Sequence, residues 1–77
     1  MQAILTTYVG PTGSRGSRVR AKAELASALV PYDDALTNEA NHRAAAQALA
    51  DSLGIRNRFI SGFTAAGYAH VFLPAAE

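Results

Sequence analysis

Arg18, Arg20 and Lys22 stand at strict period two, alternating with Val19, Ala21 and Ala23. Successive side chains of an extended chain point to opposite faces, so the three cations share one face and the small apolar residues the other. The segment leading into them, Gly10-Pro11-Thr12-Gly13-Ser14-Arg15-Gly16-Ser17, supplies glycines for close backbone approach and hydroxyls at Thr12, Ser14 and Ser17. Arg15 and Arg18 add forked guanidinium groups, which suit phosphate or carboxylate. This chemistry would hold an anion: a nucleic acid, a nucleotide or an acidic protein surface. No Gly-Lys-Ser/Thr ending opens a helix, so the stretch is not a Walker loop. A plainer alternative is a soluble hairpin loop whose basic strand keeps a sheet edge from pairing.

Other chemistry-bearing residues carry less. His42 and His70 are the only histidines, no cysteine is present, and no His-Glu-x-x-His spacing occurs, so neither a metal site nor a cofactor is expected. Asp33-Asp34 precedes a helix, where adjacent carboxylates commonly serve the turn. Ser14, Ser17, Ser27, Ser52 and Ser61 lack a Gly-x-Ser-x-Gly context. No catalytic constellation emerges, and the chain is read as a non-enzyme. Tyr68, His70 and Phe72 share one face of a strand and echo the base-stacking strand of RNA-recognition domains. The preceding basic residue is absent and the element order lacks a helix, so this strand is expected to pack under the helix or at a dimer contact.

These residues need a scaffold. Gln2–Val9 is rich in β-branched and aromatic residues and predicts a strand; with 18–23 it makes a hairpin around the glycine-rich loop. A third strand is expected at Ser27–Pro31. The helix begins at the cap Thr37, carries Glu39 in its first turn and ends at Gly54. His42, Ala45, Ala46, Leu49, Ala50 and Leu53 form its inner stripe. Glu39, Arg43, Gln47 and Asp51 lie opposite, with a Glu39–Arg43 pair. Strands at 58–63 and 68–73, joined by Thr64-Ala65-Ala66-Gly67, complete the order βββαββ. This is an α+β fold: an antiparallel sheet of four to five strands with one helix on one face, in a single domain spanning 1–77. The alanine-rich stripe requires close helix–sheet contact, with Phe59, Phe63, Tyr68 and Phe72 as larger partners for Leu49 and Leu53.

Composition sets outer limits. The 77 residues are 49% hydrophobic and 17% charged, too apolar for a disordered tail and too interrupted for a membrane span. Met1–Tyr8 has neither a basic leader nor a long apolar run, which predicts a cytoplasmic protein without membrane association. The net charge of +1 hides a segregation. Residues 1–23 hold Arg15, Arg18, Arg20 and Lys22 and no acid, whereas 24–51 hold Glu24, Asp33, Asp34, Glu39 and Asp51 against Arg43 alone. A core this small is marginal by itself, so a homodimer is a further expectation.

The block Tyr8-Val9-Gly10-Pro11-Thr12-Gly13-Ser14-Arg15-Gly16-Ser17-Arg18-Val19-Arg20-Ala21, with Asn41-His42-Arg43-Ala44-Ala45-Ala46 and Gly67-Tyr68, resembles small proteins carried by bacteria, phages and plasmids. The resemblance covers most of the chain and implies a mobile-element accessory protein. Such genes commonly encode anti-defence inhibitors, anti-CRISPR proteins among them, which block a larger host protein or ribonucleoprotein complex by binding it. The expected function is therefore stoichiometric occlusion by Arg15, Arg18, Arg20 and Lys22, with Thr12 and Ser14 beside them. Asn41 and Arg43, expected to be exposed near the helix start, would extend the surface. The alternative is a nucleic-acid or nucleotide-binding module using the basic loop 10–22.

Overall fold

The computed structural model describes residues 3–14, 16–56 and 58–73. Five strands and one helix follow in the order β1 (Ala3–Val9), β2 (Arg18–Lys22), β3 (Ser27–Pro31), α1 (Asn38–Ser52), β4 (Phe59–Phe63) and β5 (Tyr68–Phe72). The strands form one antiparallel sheet ordered β3-β2-β1-β5-β4. The α+β class and the order βββαββ hold as expected.

The first strand sits at the centre. The β2–β3 hairpin extends the sheet on one side and the β4–β5 hairpin on the other. The helix is thus the crossover between the two edge strands, and it lies across one face. There Ile4 of β1, Val19 and Ala21 of β2 and Phe72 of β5 meet Ala45, Ala46, Leu49 and Ala50. Small helix side chains let the backbone approach the sheet closely, so modest residues still close the core. The period-two pattern of β2 decides its orientation: Val19 and Ala21 are fully buried, and the charges point away.

Local chemistry fixes the helix ends. Thr37 is the cap, its Oγ1 accepting from Ala40 N–H at 3.1 Å, and Glu39 lies in the first turn. At the other end Gly54 takes φ of 75°, a left-handed conformation that glycine reaches without a Cβ clash. A second glycine is demanded by contact: a Cβ on Gly67 would strike the Thr6 carbonyl oxygen.

Four expectations change. Leu53 is 40% exposed: it caps the helix with right-handed backbone, its N–H bonded to the Leu49 carbonyl, and lies past Ala50, the last buried residue of the stripe. Phe63 is 81% exposed, because the helix packs over β1, β2, β3 and the near side of β5 and leaves β4 largely beyond its reach. Arg43 makes no ion pair with Glu39; its guanidinium lies over the Phe59 ring, 5.5 Å from the centroid. Asn41 is buried, at 3% exposure. Its side-chain oxygen accepts from Asp33 N–H at 2.7 Å, and its amide donates to the carbonyls of Asp33 and Thr37 at 2.9 and 3.0 Å. It ties the turn before the helix to the first helical turn and is not part of a recognition surface. Asp33 serves that turn too, accepting from Ala35 N–H at 2.9 Å.

Among the described residues no helix is long and apolar enough to cross a membrane.

Candidate functional site

The helix covers one face of the sheet; among the described residues no element covers the other. Arg18, Arg20 and Lys22 project there from β2, an interior strand flanked by β3 and β1. The edge-guarding reading therefore fails, since the strand carrying the charges has both neighbours already paired. Cross-strand partners lie on the same face, and here they are uncharged. Arg18 stands between Val9 and Pro31, Arg20 between Thr7 and Leu29, and Lys22 between Leu5 and Ser27. No acid of the described residues makes an ion pair with any of the three. The Nε of Arg18 is buried with no hydrogen-bond partner among the described residues, a desolvated donor lacking an acceptor from its own chain.

Alternate residues of a strand lie about 7 Å apart, so the cations form a row roughly 13 Å long. Leu5 and Leu29 adjoin the row, 52% and 43% exposed, and Val71 and Ile60 continue the apolar surface towards the far edge. Sequence reading missed these neighbours, because only the register of three strand pairs places them beside the charges. The period-two alternation in β1, where Leu5 shares a face with Thr7 and Val9, was the available signal.

The remaining candidates scatter. Thr12 and Ser14 are exposed in the loop between β1 and β2, and Arg15 lies outside the described residues. Phosphate-cradling backbone nests need a left-handed residue, yet Gly54 and Gly67 are the only residues with positive φ among those described. Gly10 and Gly13 thus supply no left-handed corner for such a nest. Arg43 sits on the helix side of the sheet, over Phe59, and does not extend the cation row.

A second polar group is enclosed between helix and sheet. Thr6 Oγ1 lies 2.7 Å from His42 Nδ1 and 2.9 Å from His70 Nε2, and Ser61 Oγ lies 2.8 Å from His70 Nδ1. Thr6, His42 and His70 are all buried. One hydroxyl proton cannot serve both rings, so at least one imidazole donates N–H to the Thr6 oxygen and the chain of bonds is interdependent. Burial lowers the pKa of both histidines; the Thr6 backbone partly opposes this at His42. For His70, burial first and then the charges of His42 and Arg43 bring it to about 4. Such a ring is a weak base at neutral pH, and no carboxylate hydrogen-bonds it among the described residues. The network's chemistry is that of a satisfied polar core, which fixes how the helix sits on β1 and β5. Tyr68 and Phe72 lie on the same covered face, buried under the helix as expected for that strand.

No group of three or more His, Cys, Asp or Glu side chains suited to a metal ion occurs among the described residues. No protein-family model, curated protein or solved structure matches the chain.

Proposed function

We propose that the chain is a small, non-enzymatic binding protein whose uncovered sheet face captures an acidic protein surface. The carrying observation is the row Arg18, Arg20 and Lys22 on an interior strand, unpaired within the described chain and bordered by exposed Leu5 and Leu29. Like charges on alternate strand positions repel, and neither core packing nor edge protection accounts for their presence here. Carboxylates on alternate residues of an extended segment, or about 6 Å apart at i and i+4 of a helix, match the row's spacing.

The surroundings favour a protein over a nucleic acid. Single-stranded nucleic acids are held on sheet faces by exposed aromatic rings, and Tyr68, Phe59 and Phe72 all face the helix side. Aliphatic side chains next to the cations suit the apolar part of a protein interface instead. In its specific form, extending the sequence resemblance, the protein is an anti-defence inhibitor of a phage or other mobile element. It acts in the cytoplasm by occluding a larger host protein or ribonucleoprotein complex, an anti-CRISPR-like activity.

Expression in a bacterium with an active CRISPR system, followed by phage challenge, tests the specific form. Restored plaquing that is lost in the Arg18→Ala, Arg20→Ala, Lys22→Ala variant supports it; unchanged immunity refutes it. Salt-dependent DNA binding tests the alternative. Three phosphate contacts would give a log–log slope of about −2.7. The proposal expects no measurable affinity for duplex or single-stranded DNA at low salt.

A further inference from the structure

The free edge at β4 is unlike a protected one. Phe59-Ile60-Ser61-Gly62-Phe63 contains neither charge nor proline, and Ile60 and Phe63 are 58% and 81% exposed. Edges of this composition pair with other strands unless something blocks them. Which backbone groups are available follows from the β4–β5 ladder. Leu73 N–H donates to the Arg58 carbonyl and Thr64 N–H to the Gly67 carbonyl, both at 2.7 Å. Hydrogen-bonded pairs recur every second residue, so Arg58, Ile60, Gly62 and Thr64 turn inward to β5. Phe59, Ser61 and Phe63 turn their N–H and C=O groups outward.

We propose that β4 pairs antiparallel with β4 of a second copy, centred on Ser61 opposite Ser61. This inference is independent of the proposed function. Among symmetric registers it alone gives all three outward-facing residues hydrogen-bonded partners: Phe59 opposite Phe63 twice, and Ser61 opposite itself. Side chains then complement. Ile60 falls opposite Gly62, whose Cβ position is open, so a large residue meets none. On the helix side each Phe63 comes beside Phe59 of the other copy.

A groove of about 430 Å³ lies at that place, lined by Arg43, Gln47, Arg58, Phe59, Ile60 and Leu73. Phe63, stacked on Tyr68 of its own chain at 4.6 Å between ring centroids, comes beside the Phe59 wall of the other copy's groove, and symmetry repeats the contact. Charge agrees with the pairing. The flanking Arg58 meets Thr64 rather than a like charge, and the two cation rows lie about seven strand spacings apart, roughly 34 Å. The dimer is a ten-stranded sheet with both helices on one face, and closing the pair leaves the basic faces open.

Sedimentation velocity over a dilution series, with amide hydrogen exchange at each concentration, tests the proposal. The expected species has twice the 8.1 kDa chain mass, with slow exchange at the Phe59, Ser61 and Phe63 amides that is lost on dilution. The Ile60→Lys, Phe63→Lys variant should be monomeric with an unchanged circular dichroism spectrum, while Leu5→Lys on the open face should remain dimeric. Should the double variant fail to fold, the exchange pattern of the unmodified protein decides. A monomer throughout the series overturns the proposal. So does a dimer in which those three amides exchange freely, or one that only Leu5→Lys disrupts.

Discussion

Acidification should unfold this protein through His70. Its ring is fully buried, held by Thr6 at one nitrogen and Ser61 at the other, and its pKa is lowered from 6.5 to about 4. The unfolded chain therefore binds a proton that the folded chain refuses between those values. Stability from this residue is complete above pH 6.5 and falls as the pH drops towards 4. At about 1.4 kcal/mol per unit, the loss approaches roughly 3 kcal/mol by pH 4, a large share of a small domain's total. Burial of His42 acts in the same direction. Urea melts at intervals from pH 7 to pH 4, comparing the natural chain with His70→Gln, isolate the contribution. The natural chain should lose stability more steeply, and its His70 ring resonances should show no titration above pH 5. Equal slopes for the two chains, or a ring titrating near 6.5 in the folded protein, would exclude this role for His70.

Other consequences are local. Gly67→Ala drives a Cβ into the Thr6 carbonyl and should cost more than about 2 kcal/mol, or prevent folding, in chemical denaturation. Asn41→Ala strands the Asp33 N–H and the carbonyls it now serves, and should destabilise by about 2–3 kcal/mol without changing binding by the open face. Thr37→Ala removes the helix cap and should lower stability by about 1 kcal/mol, seen as a reduced denaturation midpoint.

Much of the scaffold is legible in single residues. The alternation of β2 reports a half-buried strand, Thr37 and Gly54 bracket the helix, and Ser27–Pro31 is a strand with the expected bounds. Pairing is not legible, because strand order depends on contacts far apart in the chain. Without it, β2 could be an edge, and the cations could be guarding it. Burial of Asn41 was hidden for a related reason: its partners are backbone groups of the preceding turn, and backbone position leaves no compositional mark. Phe63 looked like a core residue by type; only the helix's path over β1, β2 and β3 leaves it outside. The Thr6, His42, His70 and Ser61 network likewise joins four elements whose meeting requires the register of β1 with β5 and β4 with β5.

The central claim is that the cation row on the open sheet face engages a protein. Quantitative affinity capture from nuclease-treated bacterial lysate, using the natural chain, the Arg18→Ala, Arg20→Ala, Lys22→Ala variant and Arg43→Ala, tests it most directly. An acidic protein should be retained by the natural chain and by Arg43→Ala, and released by the triple variant. Equal retention by the triple variant, or the absence of any retained acidic protein, would contradict it.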